Sequence, residues 1–285
     1  MCSFIGKLTF LKGKNSESFK MSFELKRILG KTGLEVGRMG ISSSYRAPQQ
    51  AYEEAFERGC NYFTWGTFIK GRSTEMEKAI REIIKKGQRE KLVLAFYSYA
   101  HQKNLTEFFL NRGLKTLGIE YIDVLLLGYF PKRPPQKIID GALELKEKGK
   151  VRFLGLSGHN RKLFPQLAKE GIFDVFHIRY NAAHRGAETE SFPYLQGEDR
   201  PGIVSFTATR WGKLLKAKKM PEGERPLSAV DCYRFVLSHP AVDVVMVGTK
   251  TVEEMREDLN TLESDIMSEE ELARMHRIGD YIYKS

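Results

Sequence analysis

Short apolar runs alternate along this chain with segments whose apolar residues recur every third or fourth position. The runs at 93–97, 124–127, 153–156, 175–178, 203–207 and 244–247 read as strands, and weaker runs near Met39 and Tyr62 bring the count to eight. Between them, 51–58, 76–86, 105–117, 138–148 and 252–262 carry the helical spacing. Such alternation points to a parallel sheet, because each parallel crossover needs a connection long enough to hold a helix. Eight units with no glycine-rich dinucleotide fingerprint after the first strand favour a closed barrel over an open doubly wound sheet. Ahead of them, residues 24–36 read as two short strands about a Gly-containing turn, which would form a floor or a lid. The expected fold is α/β, a (β/α)8 TIM barrel with an N-terminal β-hairpin, with 1–23 as a tail and 24–285 as one barrel domain. Met21 offers an alternative start. In such a barrel the reactive residues stand just after the C-terminal ends of the strands.

Composition narrows the function classes. With 285 residues, 41% hydrophobic and 11% aromatic, and no apolar run near the roughly 20 residues that span a bilayer, the chain reads as a soluble protein with no membrane partner. The net charge of +10 raises the question of nucleic acid, but Lys and Arg are scattered among Glu and Asp, as in 75–89 and 144–152, rather than clustered. No nucleic-acid partner is expected, and a solvated surface and an anionic ligand are the simpler sources of the charge. Cys2, Cys60 and Cys232 are too few and too widely spaced for a disulfide framework or a metal site, which fits a reducing cytoplasm.

The order and spacing of several phrases carry a family resemblance. They are Leu29-Gly-Lys-Thr-Gly-Leu-Glu-Val, Gly59-Cys-Asn-Tyr-Phe, Gly71-Arg-Ser-Thr-Glu, Leu117-Gly-Ile-Glu-Tyr-Ile-Asp-Val, Gly149-Lys-Val-Arg-Phe-Leu-Gly-Leu-Ser and Val247-Gly-Thr-Lys followed by Glu257. In these the chain resembles the aldo/keto reductase family. The resemblance implies carbonyl reduction with NADPH by an Asp, Tyr, Lys and His tetrad, in which Tyr gives the proton. This sequence departs from it at all four positions: Thr64 stands for Asp, Ile69 for Tyr with Phe68 beside it, Tyr97 for Lys and Gly128 for His. Lys70 and Tyr129 are neighbours that a shifted register would recruit. A positioned acid typically contributes a factor of about 10² to 10⁴, so ordinary carbonyl reduction is expected to be slow or lost.

The resemblance also implies an NADP(H) site. Ser157 matches the residue that holds the carboxamide, His177 stands where Gln is usual, and Phe206 falls where a ring stacks on nicotinamide. Gly248, Thr249 and Lys250 match the adenosine-phosphate end, and Glu257 matches the adenine-contacting acid. Asp258 replaces Asn, and Glu254 stands where a neutral or basic residue is common. A second constellation of strand-end residues includes Tyr45, Arg46, Tyr97, His177, Arg179, Arg210 and Trp211, which suits a small anionic ligand because guanidinium matches carboxylate geometry and stacks on rings. The plainer reading pairs Arg179 with acids such as Asp123 or Glu188. Three functions stay open: an oxidoreductase with an unconventional or lost activity, a cofactor-independent enzyme using Tyr97, His177, Arg179 and Arg210 on an anionic substrate, and a non-catalytic barrel. An open groove along the last two strands favours the first, an arginine-lined mouth with that groove filled favours the second, and a mouth plugged by Trp65, Phe96 and Trp211 favours the third.

Overall fold

The computed structural model describes residues 22–67, 73–128 and 130–284. Strands β1 (Lys26–Ile28) and β2 (Glu35–Gly37) form the antiparallel hairpin. Strand–helix units follow: β3 (Met39–Ser42), α1 (Gln49–Glu57), β4 (Tyr62–Trp65), α2 (Thr74–Lys85), β5 (Val93–Ser98), α3 (Lys103–Leu117), β6 (Ile122–Gly128) and α4 (Gln136–Glu147). The second half continues with β7 (Val151–Gly158), α5 (Leu163–Glu170), β8 (Val175–Arg179), the short α6 (Ala187–Glu190), β9 (Gly202–Phe206), α7 (Ala229–Leu237), β10 (Val244–Val247), α8 (Val252–Leu259) and α9 (Glu269–Lys284). Strands β3 to β10 close into a parallel barrel, with β10 paired to both β9 and β3.

Alternation along each strand divides the core in two. Tyr62, Val93, Ala95, Val124, Val175, Val204, Val244 and Met246 fill the lumen, while Phe63, Trp65, Leu94, Phe96, Leu125, Phe176 and Ile178 face the helices. The hairpin is a floor: Leu29, Leu34 and Val36 join the lumen cluster, and Lys31 N–H donates to the Arg200 carbonyl at 2.8 Å. Gly30 makes this approach possible, since at φ +49° a Cβ would run into the Pro201–Gly202 backbone. Ser22 bridges Asp265 and Phe23 is buried in the outer core, so the packed chain extends just ahead of Glu24.

A repeated carboxylate fastens the strand starts. Asp123 accepts from Leu94 N–H, Asp174 from Leu154 N–H and Asp243 from Ile203 N–H, at 2.8 to 3.0 Å. Each is paired with cations: Asp123 with Arg89 and Arg152, Asp174 with Lys146, and Asp243 with Arg200 in two contacts of 2.6 and 2.8 Å. These acids stand at the end of the barrel opposite its mouth. Asp123 is therefore not a partner for Arg179, and Glu188 accepts a hydrogen bond from the Tyr180 hydroxyl instead.

Two elements beside the groove end earlier than their apolar patterns. The strand expected over 203–207 stops at Phe206, because Thr207 turns into the left-handed region at φ +61°. The helix expected over 252–262 stops at Leu259 and finishes as a 3-10 turn. No described helix is long and apolar enough to cross a membrane, and among the described residues no three His, Cys, Asp or Glu side chains are grouped to hold a metal ion.

Candidate active site and cofactor groove

The lumen-facing side of each strand emerges at the mouth. On β5, Val93 and Ala95 are followed by Tyr97; on β8, Val175 and His177 by Arg179; on β9, Val204 by Phe206; and β7 ends with Ser157 and Gly158. One layer down, His177 is fully buried between two phenols. Its Nε2 is 2.8 Å from the Tyr62 hydroxyl and its Nδ1 is 3.4 Å from that of Tyr97. Burial pushes this imidazole down to about 3, so it is neutral around pH 7.

Of the positions where the resemblance implies a tetrad residue, Tyr97 brings an aromatic ring and Gly128 faces one, whereas Thr64 does neither. Thr64 is buried, its hydroxyl donating to the Ile41 carbonyl at 3.4 Å. Tyr97 stacks on Tyr99 with centroids 5.2 Å apart and planes 10° apart. The Tyr99 ring in turn occupies the space beside Gly128 where the family's His would stand. Phe68, Ile69, Lys70 and Tyr129 lie outside the described residues.

A groove of about 970 Å³ opens across the ends of β9 and β10. Its wall brings together Tyr97, Ser157, Phe206, Gly248, Lys250, Glu257 and Asp258. His177, Arg179, Arg210 and Thr249 are not part of that wall. His177 sits behind Tyr97, and Thr249 is buried with its hydroxyl lacking a hydrogen-bond partner among the described residues. Trp65 and Phe96 meet edge to face at 5.7 Å on the helix side, and Trp211 is 56% exposed, so these three do not plug the mouth.

One wall of the groove is a strained loop. Thr207, Arg210 and Trp211 all adopt left-handed backbone, which costs a non-glycine residue roughly 1 kcal/mol or more each. Neighbours hold it in place: Asn181 Nδ2 donates to the Thr207 carbonyl at 2.8 Å, Gly212 N–H donates to Thr209 Oγ1 at 3.2 Å, and the Arg210 guanidinium donates to the Ile282 carbonyl.

The two ends of the groove differ in chemistry. At one end a hydroxyl on Ser157 and the Phe206 ring suit an amide on a flat heterocycle. At the other, the amides at the start of α8 are already engaged. Lys250 N–H donates to Glu254 Oε2 at 2.7 Å, and Glu254 N–H donates to Thr251 Oγ1 at 3.1 Å. Glu254, Glu257 and Asp258 face this end with Lys250. Burial pushes the Asp258 carboxyl up to about 7 against a hydrogen bond from Tyr233, and the nearby Glu257 and Glu254 raise it further. The donor set therefore fits a nicotinamide at one end and opposes a phosphate at the other. Tyr99 was not marked by the residue pattern. Its signal was a tyrosine two positions after Tyr97 together with a glycine where the family keeps a large side chain.

A family model matches residues 29–229, more than half of the chain, and its description is the aldo/keto reductase family. This chain is an aldo/keto reductase family member. Among curated relatives it is 24% identical to the uncharacterized oxidoreductase YrpG of Bacillus subtilis strain 168, over 87% of this chain and 93% of that one. It is 23% identical to YqkF of the same organism, also an uncharacterized oxidoreductase, over 91% and 98%. Its fold matches that of aldo-keto reductase AKR11C1 from Bacillus halodurans, with a TM-score of 0.71 to the apo form and 0.72 to the holo form. Identity is 20% in both, and each match covers 90% of this chain and 96% of that one. The assignment places the chain in an oxidoreductase family.

Proposed function

We propose that this aldo/keto reductase is a nicotinamide-dinucleotide-dependent oxidoreductase that moves its proton through Tyr97 instead of the family's tetrad. The observation that carries the reading is the continuous groove joining Tyr97, Ser157 and Phe206 to Lys250 and Glu257. Held there by Ser157 and Phe206, a nicotinamide would supply hydride chemistry for a carbonyl–alcohol pair.

The chain's own residues then do the following. Ser157 and Phe206 orient the nicotinamide end. Among the described residues, Tyr97 presents the one phenol that both lines the groove and bonds to His177. His177 is a positioning residue: fixed by Tyr62 from behind, it fixes the Tyr97 hydroxyl at the base of the mouth. No Lys stands on β5 to sharpen the phenol's acidity, so turnover is slow relative to a family member with the full tetrad. NADP(H) is the cofactor the family implies, but the Glu254 carboxylate on the Lys250 amide weakens the hold on a ribose phosphate, and NAD(H) competes for the groove. Buried, unpaired Cys60 and Cys232 fit a reducing, cytoplasmic setting.

The test is titration of the protein with NADPH, NADP⁺ and NADH, following nicotinamide fluorescence with calorimetric stoichiometry and Lys250→Glu as control. Micromolar binding that weakens in the control, together with carbonyl reduction that falls in Tyr97→Phe, supports the reading. Absence of binding at millimolar dinucleotide rejects it.

A further inference from the structure

Of the inward positions that end the eight barrel strands, Arg179 is the charged one. It is paired in register with Phe206 and stands next to β7, whose end leads into His159. Phe206 and His159 line the groove with their rings 5.6 Å apart. Among the described residues Arg179 forms no ion pair, and its Nε is buried without a hydrogen-bond partner. Three described acids of the surrounding segments have other partners. Glu190 binds Arg161 at 2.6 Å, Glu188 binds Tyr180 at 2.7 Å, and Asp280 binds Arg185 at 2.6 Å.

We infer that Arg179 anchors a carboxylate carried by the substrate, at the rim of the groove beside Phe206 and His159. The surroundings are built for such an anion. Arg161 packs its guanidinium over Gly186, where a Cβ would meet it, and Arg210 is tied to the last turn of α9. Burial, with Arg161 and Arg210 nearby, holds the Arg179 guanidinium below its usual range. Burial and the same arginines push His184 down to about 4. Crowded like charges cost the fold stability, and an anion landing among them relieves that cost. A planar carboxylate suits the position better than a phosphate, because the adjacent wall is two rings and a guanidinium edge pairs with a carboxylate in one plane.

This inference rests on the oxidoreductase reading only in assigning the carboxylate to a substrate; the binding step needs no dinucleotide. The probes are benzoate and methyl benzoate by calorimetry without cofactor, then para-formylbenzoate and its methyl ester in turnover with cofactor, with inorganic phosphate as competitor. Benzoate is expected to bind at least about tenfold tighter than methyl benzoate, consistent with a charge-assisted hydrogen bond. Arg179→Met is expected to erase that preference and Arg179→Lys to keep part of it, while phosphate competes weakly. Equal binding of acid and ester overturns the inference, as does an unchanged preference in Arg179→Met or displacement of benzoate by phosphate at equal concentration. If Arg179→Met fails to fold, Arg179→Lys decides, since unchanged benzoate affinity there removes the planar-pairing argument. A benzoate preference without dinucleotide binding would reject the proposed function and leave the anion site standing.

Discussion

The Tyr99 ring stands against Gly128, with its Cε1 2.5 Å from where a Cβ at that position would lie. Gly128 is the position at which the family resemblance implies a histidine. That space is taken by an aromatic side chain just past the end of the neighbouring strand β5, stacked in turn on Tyr97. The Tyr99 ring leaves no room for a larger side chain in place of Gly128.

Restoring the family residue alone is thus expected to harm the protein. Gly128→His forces an imidazole into the Tyr99 ring, and overpacking of this kind typically costs about 1–3 kcal/mol. Thermal unfolding should show a lowered Tm for Gly128→His and recovery in Gly128→His with Tyr99→Ala. A single variant as stable as the parent would mean that Tyr99 swings away freely.

The buried His177 makes stability depend on pH. Its folded pKa is lowered to about 3, while the unfolded imidazole keeps the ordinary value of 6.5. Above pH 6.5 both states are neutral and the group contributes no slope. As pH falls from 6.5 toward 3, the unfolded chain takes up a proton that the fold refuses, and stability drops by up to about 1.4 kcal/mol per pH unit from this group. Urea unfolding at pH 7 and pH 4.5 should show a smaller loss in His177→Gln than in the parent. His184, lowered to about 4, adds to the same acid slope in both proteins. Equal losses would show that His177 titrates normally.

The barrel was legible in the sequence because its strands are unbroken apolar runs and its helices keep their spacing, so units near Val93, Val124 and Val175 could be read locally. The ends were not. Thr207 has a strand-forming side chain, but the chain turns left-handed there to build the groove wall, and nothing in its apolar pattern reports φ. The expectation that an acid would answer Arg179 failed for a related reason. Asp123 is spent at the other end of the barrel, and spacing in sequence does not say which end of a strand a carboxylate serves. Tyr62 and His177 are 115 residues apart, so their contact exists only after the barrel closes.

Asp258 is predicted to cost stability at neutral and alkaline pH. Its folded pKa is raised from 3.8 to about 7, first by burial. The fold therefore holds a proton that the unfolded chain releases above pH 3.8, and stability is lost as pH rises from there through about 7. Asp258→Asn keeps an acceptor for the Tyr233 hydroxyl and removes the titration. It should be more stable than the parent by about 1–3 kcal/mol at pH 8 and closer to it at pH 4, measured by urea unfolding. A variant less stable at pH 8 would show that the carboxylate is compensated by something other than Tyr233.

Glu254 should decide between the two dinucleotides. Its carboxylate accepts the Lys250 amide at 2.7 Å, the kind of contact an incoming phosphate oxygen would make at a helix start. Removing the charge frees that amide and lifts the repulsion, each worth some tenths of a kcal/mol to about 1 kcal/mol. Glu254→Gln is therefore expected to tighten NADPH by up to about tenfold while NADH changes much less. The ratio of the two dissociation constants by fluorescence titration is the readout. If NADPH and NADH shift together, Glu254 acts on the groove as a whole; if neither shifts, the ribose phosphate lies away from α8.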